Sequence, residues 1–315
     1  MARFLLRRFA ALGLTLLFAA AMVFAVLEIL PGDPAATMLG VSATPETVAA
    51  LRSELGLDRP VLTRFWSWVS GFFTGDLGIS YAYRVPVGGL IAERMAVTLP
   101  LAFLSLALAA IIGIALGVLA ASKANTPVDA AVMGLAQLGL AVPNFWFGIL
   151  FVLLFSITLG WFPSGGFPGW SVGLGALKAL VLPAFALALP QAAVLARLTR
   201  SSMLETLGDD YIRTARAKGL TRSQTLRRHA LRNALVPVMT MLGLQFSYLV
   251  AGTIILENVF ALPGLGRLLV QAIGGHDLIL IKSLVVLFVG AVVAINALVD
   301  IAYGFADPRL RVNAP

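Results

Sequence analysis

Apolar residues fall along this chain in blocks of about 20, the length a helix needs to cross ~30 Å of hydrocarbon. Six such blocks lie near residues 9–30, 98–121, 132–160, 179–200, 234–256 and 279–303, so the pattern predicts an all-α polytopic membrane protein with six transmembrane helices. Pro143 interrupts the third block, and Pro183 and Pro190 the fourth. A span tolerates proline where neighbouring helices or water satisfy the freed carbonyls. The first block follows MARFLLRR but runs on to Leu30 without a polar cleavage region, so it is expected to stay as a span and not to be removed as a secretory signal.

Residues 31–96 form a long polar connection with helical signals of its own. PETVAALRSELGL offers Thr44 as N-cap, Pro45 at the first helical position and Gly56 as a stop. After Pro60, a second short amphipathic helix is expected, with Leu62, Phe65, Trp66, Val69, Phe72 and Phe73 at helical spacing. That apolar face suits the outer membrane interface, where Trp is favoured, and equally suits packing against the bundle. The expected division is residues 1–96, a first span plus a large extracytoplasmic loop, and residues 97–315, five spans with a polar loop at about 205–230.

Composition fits a bilayer as solvent: 59% of residues are hydrophobic, 12% are charged and the mean hydropathy is +0.94. The net charge of +8 could serve nucleic acid, but the cations lie between spans, so no nucleic-acid partner is expected. Their distribution sets the topology instead. Arg3, Arg7 and Arg8, Lys123, nine cations in 197–232, and Arg309 and Arg311 fall on one side; only Lys178, Arg267 and Lys282 occupy the short loops opposite. The positive-inside rule makes the first side cytoplasmic, with both termini on it. The five arginines of 31–96 are matched by six acids in a loop long enough to escape that rule.

Little catalytic material is present. There is no cysteine, the histidines His229 and His276 fall on opposite sides of the membrane, and neither HExxH nor a phosphate-binding G-x-x-x-x-G-K-[ST] occurs. The chain is therefore expected to be non-enzymatic, with no cofactor or metal bound directly. Glu28 and Asp300 are the acids within the expected spans, and both sit near span ends. This disfavours an ion-coupled secondary transporter, which commonly places ionisable groups deeper. Neutral polar residues remain within the bundle: Gln137, Asn144, Gln191, Gln245, Ser247 and Asn296. Interhelical hydrogen bonding is their commoner role, while Asn144, Gln191, Gln245 and Ser247 are candidates for a polar pathway.

The densest charge lies in GDDYIRTARAKGLTRSQTLRRHALRN, residues 208–233. Asp209 and Asp210 can cap a helix over Tyr211 to Lys218, Gly219 stops it, and Thr221 with Gln224 forms a capping box for another helix. Gly208, Ile212, Ala215 and Gly219 share one narrow face of mostly small residues, with the arginines Arg213 and Arg216 elsewhere on the helix. Lipid-facing charge alone would not require the capping, the break or the small face. The segment therefore reads as a protein-docking element.

RTARAKGL at 213–220, followed by LRRHALRNALVPV at 226–238, resembles the cytoplasmic coupling loop of bacterial ABC-importer permeases of the dipeptide, oligopeptide and nickel class. PGDP at 31–34, GDLGIS at 75–80, RLTRSSMLE at 197–205, ENVFALPGLG at 257–266 and DPRLR at 307–311 resemble that class in the same order. Relative to the general importer motif, Ala215 and Gly219 are kept while Arg213 and Thr214 stand in its first two positions, and Pro237 is farther from the glycine than usual. The resemblance implies a type I ABC importer permease in the bacterial inner membrane. Its implied partners are a second homologous permease, two cytosolic ATPases that use ATP and Mg, and an extracytoplasmic solute-binding protein. It further implies that Asp210, Tyr211, Ile212, Arg213, Thr214, Ala215, Arg216, Ala217, Lys218, Gly219 and Leu220 dock on an ATPase, whose closure rocks the fourth and fifth spans. The 31–96 loop and the turn at 264–266 would face the binding protein. Short peptides are the implied cargo; nickel complexes, glutathione or another small solute would suit the same architecture. A non-transporting membrane scaffold with a lipid-binding basic loop is the remaining alternative.

Overall fold

Apolar sequence becomes helix almost throughout. In chain order the helices are α1 (Ala2–Ile29), α2 (Pro34–Leu39), α3 (Pro45–Glu54), α4 (Val61–Thr74), α5 (Val87–Ser122), α6 (Pro127–Ala141), α7 (Asn144–Phe151), α8 (Leu174–Leu207), α9 (Asp210–Ala217), α10 (Arg222–Thr225), α11 (Leu231–Val259), α12 (Leu265–Gly274) and α13 (Leu278–Ala306). This computed structural model describes residues 2–29 and 33–306. The DPRLR ending and the first two residues of PGDP lie outside the described residues.

Helices α1, α5, α8, α11 and α13 are each long and apolar enough to cross a membrane. The third expected span is not a kinked rod: α6 and α7 meet at 98°. Both Val142 (φ −92°, ψ 124°) and Pro143 (φ −60°, ψ 144°) are extended. Proline lacks an N–H and disfavours helical backbone in the residue before it, so two residues leave the helix together and the chain turns. Counted as one broken span, the pair brings the total to six. Pro183 and Pro190 stay inside a continuous α8 and Pro237 inside α11.

The chain forms two compact units, one from residues 1–98 and 263–315, the other from residues 99–262. The first is discontinuous because α13 packs along α1.

In this first unit, Thr44 caps α3 through Thr47 in a reciprocal box, and Gly56 takes the left-handed conformation (φ +65°) beyond its end. Helix α4 divides its apolar residues. Phe65 and Trp68 pack around Phe24 of α1 at 5.3 and 5.9 Å between ring centroids, while Leu62, Trp66 and Phe73 are exposed. Asp277 is fully buried just before α13 and accepts from Ser80 Oγ at 2.5 Å, Ala82 N at 3.0 Å and Leu280 N at 3.1 Å.

The second unit is built on α8, whose alanine-rich surface lets α6, α7 and α11 approach closely. A Cβ on Gly113 of α5 would lie 2.6 Å from Leu195 Cβ, and one on Gly117 would lie 2.5 Å from Thr199 Cβ. These two glycines, one turn apart, set α5 against α8. Ala109, Ala188, Ala192, Leu195 and Val238 form a core there.

Candidate functional site

The basic segment folds as helix, break and helix, and its turns are tightly specified. The backbone carbonyl of Asp209 accepts from Ile212 N at 3.1 Å, but its side chain makes no cap, contrary to the expectation for that aspartate. Asp210 opens α9, where its charge favours the helix N-terminus. At the other end Gly219 N bonds Arg216 O at 3.0 Å and Leu220 N bonds Ala215 O at 3.3 Å, with Gly219 at φ +90°. That is a Schellman closure, and it demands left-handed backbone at Gly219. Thr221 and Gln224 then exchange bonds at 3.0 and 3.3 Å, the expected capping box.

The small-residue face is divided, with Gly208 and Gly219 exposed at its ends and its middle turned inward. Ile212 and Ala215 are buried against their own chain, whereas Tyr211, Arg213, Thr214, Arg216, Ala217 and Lys218 are exposed. Ile212 occupies the inner side because α9 is strongly amphipathic and too short to bury more. The exposed surface is thus a cationic one, bordered by Gly219, where an added Cβ would meet nothing within 4 Å. Asn233 Nδ2 donates to Tyr211 Oη at 2.5 Å, tying α9 to α11.

Below α9, Met203 of α8, Ala121 of α5, and Leu226, Ala230 and Ala234 leading into α11 form one core. Residues 226–230 are a π-helical turn that carries α10 directly into α11. Only Gly208 and Asp209 separate α8 from α9. Such short connections leave little slack between the exposed helix and two long spans.

Arg200, in RLTRSSMLE, was legible only as one more positive charge. It forms a bidentate pair with Asp129 of α6 at 2.6 and 2.7 Å, and Asp129 Oδ2 also accepts from Asn125 N at 3.0 Å. The Thr126–Pro127 start of α6 marks Asp129 as a first-turn acid. Nothing local identifies a partner 71 residues away.

Of the four candidate pathway residues, Gln191 and Gln245 come together: Gln245 Nε2 donates to the Gln191 carbonyl at 3.2 Å. Gln245 Oε1 is buried with no partner among the described residues. Asn144 begins α7 beside the Pro143 break, and its Nδ2 lies 3.1 Å from where a Cβ on Gly252 of α11 would stand. Ser247 is buried on α11. All four therefore lie on α7, α8 and α11, which pack on one another.

Comparison with known proteins gives these features a context. The family model described as the inner membrane component of binding-protein-dependent transport systems matches residues 113–312, and the model for the N-terminal part of such components matches residues 1–102. A protein of Brucella abortus (strain 2308) named as a peptide transport system permease is 49% identical, covering 99% of this chain and 100% of that one. The glutathione transport system permease protein of Salmonella choleraesuis is 40% identical, with 99% of each chain covered. Among solved structures, the MetNI methionine ABC transporter in an inward-facing conformation matches with a TM-score of 0.56 at 23% identity, over 67% of this chain and 93% of that one.

Proposed function

Because the chain belongs to the family of inner membrane components of binding-protein-dependent transport systems, we propose that it is the peptide-class permease half of an ATP-driven importer. A second, homologous permease completes the pathway, two cytosolic ATPases hydrolyse ATP with Mg, and an extracytoplasmic binding protein delivers the cargo. The chain itself catalyses no reaction and binds no cofactor. The relative named for peptide transport, alike over its full length, supports short peptides as cargo.

The observation that carries the mechanism is α9, a capped, cationic, exposed helix held between α8 and α11 by connections of a few residues. With the basic side cytoplasmic, α9 meets an ATPase through Arg213, Arg216 and Lys218, which suit acidic groups on a docking cleft. Asp210 to Leu220 form the coupling element, with Ile212 and Ala215 anchoring it from beneath. ATP-driven closure displaces α9, and α8 and α11 carry that displacement to the helices bearing Asn144, Gln191, Gln245 and Ser247. A switch of this kind needs the ATPase to contact the two states differently.

Proteoliposomes holding both permeases and both ATPases provide the test. Uptake of a labelled dipeptide should require ATP inside the ATPase-accessible compartment and loaded binding protein on the opposite side. Uptake driven by an ion gradient with this chain alone would overturn the reading. Glutathione competing better than dipeptides would move the cargo to the class named for the Salmonella relative.

A further inference from the structure

The first unit holds two adjoining cavities of about 330 and 390 Å³, which share Leu57, Arg64, Tyr81 and Lys282 in their walls. The smaller one sits where two spans end, beside Phe24, Leu27 and Glu28 in the last turns of α1 and Leu278 and Lys282 in the first turns of α13. That is the depth of the phospholipid headgroups, on the outer side under the proposed topology.

Charge in this cavity is unevenly matched. Arg64 engages Glu28, and Arg52 holds Asp33 at 3.3 Å. Lys282 has no ion pair among the described residues; its ammonium lies over the rings of Phe24 at 4.9 Å and Trp68 at 5.7 Å. Ring faces offset only part of the loss of hydration around an ammonium. Trp68 Nε1, in the wall of the larger cavity, is buried without a hydrogen-bond acceptor among the described residues.

We propose that this cavity binds the phosphate of a phospholipid headgroup, with Lys282 as its anchor and Arg64 and Tyr81 as further donors. Burial, reinforced by the Asp277 carboxylate, pushes the Tyr81 phenol up to about 12, so its O–H remains a donor at neutral pH. The helices that line the cavity also carry exposed apolar side chains that acyl chains could cover, Val26 and Ile29 on α1 and Leu62, Trp66 and Phe73 on α4. A soluble anion would have no use for that apolar surface. The site depends on the membrane reading alone and not on the transported cargo.

Native mass spectrometry of the full chain in mild detergent, after delipidation and titration with phosphatidylglycerol, tests this. The chain should retain phospholipid that Lys282→Met binds roughly fivefold more weakly, the factor corresponding to one lysine at a membrane phosphate. Lys282→Arg should keep it, and diacylglycerol, with the same tails and no phosphate, should fail to displace it. Should Lys282→Met not fold, Tyr81→Phe provides the same comparison, with weaker retention expected. Equal retention by the chain and the folded variants overturns the proposal. Inorganic phosphate binding as tightly as the lipid also overturns it, in favour of a small-anion site; displacement by short peptides does so in favour of a cargo site.

Discussion

Arg200 grips Asp129 through both edges of its guanidinium, Nε to Oδ1 at 2.6 Å and Nη2 to Oδ2 at 2.7 Å, joining the start of α6 to the C-terminal half of α8. The carboxylate is only 6% exposed, so removing either partner strands a charge in a poorly hydrated site. Asp129→Asn and Arg200→Gln should each slow ATP-driven uptake, and the double variant should be less impaired than the two effects summed. Uptake rates in proteoliposomes, with complex assembly checked by co-purification, measure this. Additive losses would mean that the pair does not act as a unit.

Gly113 and Gly117 permit the contact of α5 with α8. A Cβ on either would approach an α8 carbonyl, Ala192 O or Ala196 O, to 2.7 Å, and backbone in a packed helix yields poorly. Gly117→Val should destabilise the folded chain by about 3 kcal/mol or more. Gly134→Val, at an exposed position where a Cβ meets nothing within 4 Å, should cost no more than about 1 kcal/mol. Thermal unfolding in detergent compares the two.

Asp277 accepts three hydrogen bonds while fully buried, and it closes the 80–82 turn onto the start of α13. Asp277→Ala should cost about 2–3 kcal/mol, since it leaves buried donors unpaired. Asp277→Asn should lower the Tyr81 pKa from about 12, because burial holds the phenol up first and the carboxylate's negative charge second. Ultraviolet titration of tyrosinate, as a difference between the chain and this variant, reads the shift. An unchanged curve would contradict the assigned contribution.

Much of this architecture was legible because it rests on local rules. Apolar length gave the spans, and Thr44, Gly56, Gly219 and the Thr221–Gln224 pair marked helix ends that the backbone alone dictates. What was hidden depends on meetings across sequence. The turn of α6 against α7 arises when Val142 and Pro143 leave the helix together, whereas Pro183 and Pro190 do not break theirs. The inward placement of Ile212 and Ala215 was hidden too, because spacing identifies a face without saying what covers it. Asp129 with Arg200, and Lys282 with Phe24 and Trp68, are pairings that composition cannot reveal.

The central claim is that α9 transmits ATPase motion into the membrane, and Gly219 provides its sharpest test. A β-branched residue there is strained by roughly 1–2 kcal/mol at φ +90°, yet a Cβ at this position meets nothing within 4 Å, so the folded permease should survive. Dipeptide uptake and binding-protein-stimulated ATP hydrolysis should be measured together in proteoliposomes for the wild-type chain, Gly219→Val and Arg213→Glu with Arg216→Glu. The account predicts that both variants lose stimulated hydrolysis and that uptake falls to the level without ATP. Full uptake and full stimulation in both variants would contradict it.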